Sequence, residues 1–222
     1  MIKISDRLKT TAEIVLNKKT NKIIDVGCDH ALLDIYLLQI DSSLKIVASD
    51  NKKLPLENAK KNIEKYSFLN KIEVCLKDGI ENIDKDIDTV IISGMGCETI
   101  IEILNRSKQE LEHVNRLIIS SNNKYPQLRE EITKLGFIIS DEKIVYEDNK
   151  YYIIIEFIKG NKKYTKKELF FGPILLKNKN ELFNNYYQMI KDNDRKIINN
   201  LTNDDKKRSI KKEINDIEKE LV

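Results

Sequence analysis

Apolar residues recur along this chain in two alternating rhythms. Short, nearly continuous apolar runs stop abruptly at Gly, Asp, Ser or Asn, and a longer segment with helical spacing follows each. The clearest switch lies early: Ile23, Ile24, Asp25 and Val26 read as a buried strand, Gly27 breaks it, and Ala31, Leu32, Ile35, Tyr36 and Leu38 resume as a helical face. Further strands are predicted at 45–49, 71–76, 87–92 and 116–120. Between them Leu56, Ala59, Ile63 and Tyr66 mark one helix, Glu98, Ile101 and Leu104 another, and Leu128, Ile132 and Leu135 a third that Gly136 closes. Ahead of the first strand, Leu8, Ala12, Val15 and Leu16 form a helical face with Ser5 as its N-cap. Segments 137–145 and 151–158 are strands separated only by a turn at Asp148 and Asn149, too close for a crossover helix, so they pair as an antiparallel hairpin. Five parallel strands finished by such a hairpin make a mixed seven-stranded α/β sheet. A pure dinucleotide fold has no reason to end in a hairpin.

Beyond residue 160 the pattern changes. Residues 162–179 read as a basic linker around an apolar patch of Leu169, Phe170, Phe171, Pro173 and Ile174. Phe183, Ile190 and Ile197, with Tyr187 and Leu201, then mark one helix, and Ile210, Ile214, Ile217 and Leu221 mark another. Asn203 to Asp205 reads as the turn of an antiparallel helical hairpin. The expected division is therefore 1–160, a sheet domain with an N-terminal covering helix, and 161–222, a basic linker plus helical hairpin. Charge sharpens the boundary: residues 1–160 hold 24 Lys/Arg against 26 Asp/Glu, while 161–222 hold 15 against 10. The tail is the part suited to a polyanion. Abundant Lys, Asn and Ile equally fit an AT-rich coding bias, so charge alone does not assign nucleic-acid binding. Cys28, Cys75 and Cys97 are widely spaced and only two histidines, His30 and His113, accompany them, so no metal site is expected. The first residues lack a signal-peptide pattern, and no run approaches the roughly 18 apolar residues of a membrane span, so the expectation is a soluble cytoplasmic protein with reduced thiols.

The strand ends carry the candidate chemistry. Gly27 permits a tight turn and close approach of a ligand to the next helix's free N–H groups. The loop continues Cys28, Asp29, His30 without a second glycine, so a pyrophosphate cradle is not expected. Asp25 and Asp29 would repel a diphosphate and suit a cationic amino or sulfonium group. Asp50 lies one strand, one helix and one strand after Asp25, the spacing at which a carboxylate accepts both ribose hydroxyls of a nucleoside. Asp78 and Gly79 either meet the amine of an adenine or serve turn geometry alone. Residues 93–97 should enter the cleft beside the first loop, although Gly94 and Gly96 would also suit close packing. Ser121, Asn122 and Asn123 either read a base edge or cap a helix. Arg7 either pairs at the surface or reaches the cleft.

Together DVGCDHALLD (25–34), KDG (77–79), SGMGCETIIEIL (93–104) and YTKKELFFGPILL (164–176) resemble the bacterial tRNA (adenine-N1)-methyltransferases of the TrmK family, which modify adenine 22 of tRNA. The likeness runs nearly end to end and includes an S-x-R-L element at Ser5 to Leu8. The resemblance implies a Rossmann-like class I S-adenosylmethionine-dependent methyltransferase with a C-terminal helical hairpin. It implies S-adenosylmethionine bound at the first loop, Asp25, Gly27, Asp29 and His30, with Asp50 at the ribose and Asp78 and Gly79 near the adenine; Arg7, Cys28, Asn51, Gly94 and Met95 complete the candidate cofactor contacts. Asp29, His30 and Asn122 are the candidate catalytic residues around the target base. The family's GMGG loop ends in Cys97 here, and its Q-P-N segment is Ser120, Ser121, Asn122.

Adenine N1 bears a lone pair and no proton, so methyl transfer needs an exposed base edge, alignment and tolerance of the developing cation rather than a general base. Asp29 is the first candidate for holding the exocyclic amine or favouring that charge; His30 could instead cap the following helix. The expected partner is tRNA, gripped by the basic segment, with no membrane or metal and a monomer or weak dimer. Three rivals stay open at this stage: a methyltransferase for another RNA or a small molecule, an NAD-dependent oxidoreductase, and a non-catalytic RNA-binding protein of the same fold.

Overall fold

The computed structural model describes residues 1–221 and divides into two compact units, Met1–Gly172 and Pro173–Val222. In the first unit the chain runs α1 (Asp6–Leu16), β1 (Ile23–Val26), α2 (Leu32–Ile40), β2 (Ile46–Asp50), α3 (Lys53–Lys65), β3 (Ile72–Leu76), β4 (Thr89–Met95), α4 (Cys97–Arg106), β5 (Arg116–Ser121), α5 (Tyr125–Lys134), β6 (Phe137–Glu147), β7 (Lys150–Lys159) and α6 (Lys166–Phe171). The strands form a seven-stranded sheet in the order β3-β2-β1-β4-β5-β7-β6. The first five are parallel, and β7 lies antiparallel between β5 and β6.

Local chemistry explains most boundaries. Ser5 caps α1, its hydroxyl accepting from Leu8 N. Asp148 and Asn149 both adopt positive φ (49° and 59°), the backbone of a two-residue hairpin turn whose twist matches its strands. Ile23, Ile46, Ala48, Ile91, Ile118 and Ile154 share a core with α1, α2 and α3. The intervening positions Val90, Ile92, Leu117 and Ile119 are fully buried too, so the central strands are covered on both faces and read as continuous apolar runs.

Four details differ from the sequence expectation. The strand expected at 87–92 begins at Thr89 and continues through Met95, because a bulge between Ser93 and Met95 lets it keep pairing with β5 beyond the apolar run. Helix α2 buries Leu33, Asp34 and Leu37 as well as Ile35 and Leu38, leaving Leu32 and Tyr36 half-buried. Helix α5 starts at Tyr125 with Pro126 in its first turn, ahead of Leu128. Within the expected linker lies α6, opened by a capping box in which Thr165 and Glu168 satisfy each other's backbone N–H. Arg129 of α5 donates to the carbonyls of Leu169 and Phe170 on α6 while paired with the buried Glu142, and the unit boundary falls after this helix.

The second unit is a helical hairpin of α7 (Glu181–Asn200) and α8 (Asp204–Glu220). Asn180 and Asn203 cap the two helices through Phe183 N and Lys206 N. Lys179, just before α7, reaches Glu220 at the end of α8 at 3.1 Å, so the hairpin's open ends meet. Among the described residues no helix is long and apolar enough to cross a membrane, and no group of His, Cys, Asp and Glu comes together that would hold a metal ion.

One buried charge fixes α1 to the sheet. Arg116, at the start of β5, donates from Nε and Nη2 to Glu156 of β7 (2.9 and 2.7 Å) and from Nη2 and Nη1 to the carbonyls of Ile14 and Val15 (2.9 and 3.2 Å). It therefore satisfies the carboxylate and the free end of the helix together. Replacing Arg116 by Met should cost about 3 kcal/mol in urea unfolding, because Glu156 keeps Lys18 and Ser140 but loses its buried cation.

Candidate functional site

Strand register builds the site. Val26 stands opposite Ile92 on one side and Ser49 on the other, Asp50 opposite Leu76, and Ser93 opposite Ser120. The loops leaving β1 to β5 consequently emerge along one edge. Strand order reverses between β1 and β4, the position where α/β sheets open a crevice for ligands.

Two adjoining cavities occupy that edge. The first, 280 Å³, runs from Val26 and Gly27 past Asp50, Asn51 and Lys52 to Asp78 and Gly79, with Thr99 and Ile103 of α4 as its wall. The second, 330 Å³, lies between α1 and the first loop and is lined by Arg7, Asp25, Cys28, His30, Ser93 and Gly94, among others. Gly27, Asp29 and Met95 line both. A Cβ at position 27 would lie 2.6 Å from Met95 Cε, the movable end of a flexible side chain, so it is the φ of +77° that calls for glycine there.

Twelve of the thirteen candidate residues line one cavity or the other, and Asn122 lines neither. Asn122 instead donates from Nδ2 to the Gly94 carbonyl at 2.6 Å and from its backbone N to Met95 O at 2.8 Å. Asp50 is buried, and its Oδ1 accepts from Lys52 N at 2.9 Å. Asp78 is more open and is oriented by Arg106, which pairs with its carboxylate at 3.0 Å and also bonds its carbonyl. Asp29 and His30 stand at the mouth with side chains 71% and 45% exposed, free to meet a large substrate. Sequence reasoning did not find Arg106, Thr99 and Ile103; they occupy successive turns of α4, a spacing that any amphipathic helix shows.

The second cavity is electrostatically poised. Asp25 is buried, and burial followed by the nearby charge of Asp50 pushes its pKa up to about 7. Asp34, 0% exposed on α2, has no hydrogen bond to either carboxylate oxygen; burial and then Asp25 hold its pKa well above the usual carboxylate range. Arg7, stacked 4.7 Å over the Tyr152 ring, has a buried Nε without a partner, as does Ser93 at its Oγ. A cation beside Asp25 and an anion beside Arg7 and Ser93 would satisfy these groups, which is the donor set a zwitterionic amino acid requires. Neither thiol is poised as a nucleophile: burial, then surrounding carboxylates, raises Cys28 strongly, and burial, then Glu98, raises Cys97 to about 11.

The strand order, the crevice at its reversal, an acid at the end of β2 and an acid-lined first loop without a diphosphate cradle define a class I S-adenosylmethionine-dependent methyltransferase. The family model TrmK, tRNA (adenine(22)-N(1))-methyltransferase, matches residues 23–220. The tRNA (adenine(22)-N(1))-methyltransferase of Bacillus subtilis (strain 168) is 32% identical over 189 residues, covering 82% of this chain and 79% of the relative. This chain belongs to the TrmK family. Among solved structures, Streptococcus pneumoniae Sp1610 in complex with S-adenosyl-L-methionine superposes with a TM-score of 0.90 at 29% identity, covering 99% of this chain and 100% of that one. M. capricolum TrmK in complex with S-adenosyl-homocysteine gives 0.85 at 33% identity, covering 97% and 96%.

The raised carboxylates make stability depend on pH. Between the unfolded value near 3.8 and about 7 the folded state keeps a proton on Asp25 that the unfolded chain has released, so stability falls as pH rises through that window. Asp34, held above the usual carboxylate range by the same burial, adds to the fall. Asp34→Asn should therefore melt close to wild type at about pH 4 and above it at about pH 8. A difference in Tm that did not widen with pH would contradict a buried ionisable Asp34.

Proposed function

We propose that this protein transfers the methyl group of S-adenosyl-L-methionine to N1 of adenine 22 in tRNA. The observation that carries the proposal is family membership extending from the first strand to the end of α8, so that it covers the catalytic crevice and the helical hairpin alike. The cofactor, when bound, supplies an electrophilic methyl on a sulfonium.

The residues of the crevice fit that cofactor. Asp50 accepts the ribose hydroxyls, Asn51, Asp78 and Gly79 border the adenine, and Arg106 holds Asp78 in place. Arg7 and Asp25 take the opposite charges of the amino-acid end, with Gly27, Cys28, Gly94 and Met95 forming the floor between. Asp29 and His30, at the shared mouth, receive the target base. Adenine N1 needs no deprotonation, so their task is to orient the base and to favour the positive charge that develops on it.

The second unit supplies the polyanion contact. On α8 the exposed residues Arg208, Lys211, Lys212, Asn215 and Lys219 recur at helical spacing and form one basic stripe, opposite the buried Ile214 and Ile217. Such a stripe tracks phosphates by shape and charge. The enzyme acts in the cytoplasm, as a monomer or weak dimer.

Incubating the protein with S-adenosylmethionine and unmodified tRNA should place one methyl group on N1 of adenine 22, read by mapping the modified position. Methylation elsewhere, or equal rates on free nucleoside, would overturn the proposal. In the same protein Asp50→Ala should weaken cofactor binding by about 1–3 kcal/mol. Reversing charge at Lys211 and Lys212 to Glu should raise the tRNA Kd and flatten its salt dependence while leaving cofactor affinity unchanged.

A further inference from the structure

Helix α4 begins with an unsolved problem in its own sequence. Its N-cap is Gly96, which has no side chain to accept from the first free N–H groups of the helix. The strand before it is interrupted as well: β4 and β5 pair up to Ser93 and Ser120, the register then slips to Met95 and Ser121, and Gly94 is left without a strand partner at φ +79°. A bulged residue takes its carbonyl out of the ladder, and that carbonyl needs a donor from elsewhere.

Both deficits are met from one turn. Asn122 Nδ2 donates to Gly94 O at 2.6 Å, replacing the lost strand partner, and Asn122 N donates to Met95 O at 2.8 Å. Asn123 Oδ1 accepts from Cys97 N at 3.1 Å, so α4 is capped by a residue of another loop. Ser121 Oγ lies 2.9 Å from Asn123 O and 3.3 Å from Met95 O, holding the turn to itself and to the bulge.

We propose that Ser121, Asn122 and Asn123 form a clamp on the 93–97 loop and that Asn122 and Asn123 are positioning residues for the cofactor site, Asn122 as a donor and Asn123 as an acceptor. Neither side chain lines a cavity, yet what they hold does: Met95 borders both cavities against Gly27, and Thr99 and Ile103 of α4 wall the first. Releasing the clamp lets the wall between the nucleoside and amino-acid ends move. The two amides therefore tolerate opposite replacements. Aspartate keeps the acceptor that position 123 uses, and at a helix N-terminus its charge is favourable. At position 122 aspartate loses the donor and sets a negative charge against the Gly94 carbonyl.

The proposal rests on the cofactor assignment above, and the test separates the two. Binding of S-adenosylhomocysteine would be measured calorimetrically on the full chain, together with amide hydrogen exchange at Cys97 in the absence of any ligand. Asn122→Ala, Asn122→Asp and Asn123→Ala should each weaken binding about tenfold, while Asn123→Asp stays within about twofold of wild type. Exchange at Cys97 should accelerate in Asn123→Ala and not in Asn123→Asp. Wild-type binding from Asn122→Asp, or an Asn123→Asp variant as weak as Asn123→Ala, would overturn the clamp. So would unchanged cofactor affinity accompanied by a raised KM for tRNA in the Asn122 variants, since that result makes Asn122 a substrate contact. Failure of the wild-type chain to bind would defeat the cofactor assignment instead, and Cys97 exchange would still decide the clamp.

Discussion

A parallel sheet has to leave the ends of its strands along one edge, and in this protein nearly everything functional follows from which two ends become neighbours. β1 and β4 are adjacent although two helices and two strands separate the first from the last in sequence. Their register sets Val26 beside Ile92, so the first loop and the glycine-rich loop leave the sheet side by side. Gly27 and Met95 then meet in close contact, and that contact divides the crevice into two ends.

The two ends are built on different electrostatic terms. At the first, Asp50 stays engaged with Lys52 N while Asp78 is held by Arg106, so both acids are oriented before a ligand arrives. The second concentrates strain: Asp25 and Asp34 are buried together without a cation, and Arg7 and Ser93 keep polar atoms without a partner. Burying such groups costs stability, and a zwitterionic ligand that satisfied them would return part of that cost as binding free energy. Arg116 connects this to the fold, because it ties the C-terminal end of α1 to β7 and so fixes the helix that carries Arg7.

Much of the site was legible in the residues. The change from strand to helical periodicity at Gly27, the interval from Asp25 to Asp50 and the glycines around Met95 located the crevice, since each belongs to a loop at a strand end. Asn122 was harder, because a polar turn after a strand can face a ligand or its own backbone; its side-chain amide donates to Gly94 O and its backbone N–H to Met95 O. The helix at Lys166–Phe171 carries a readable capping box, Thr165 with Glu168, but the lysines around it mask its short apolar face. Arg106 and Asp34 gave no signal, being an ordinary last-turn cation and a polar residue inside an apolar helix.

The sequence by itself determined the elements, their order and the residues offered at each strand end, because periodicity, caps and turn-forming residues act over a few positions of the chain. Only the tertiary structure decided which of those residues meet: the slip that isolates Gly94, the capping of α4 by Asn123, the approach of Arg106 to Asp78 and the burial of Asp34. These depend on register and helix packing between segments tens of residues apart, where a shift of one position would redirect a side chain to the other face of the sheet.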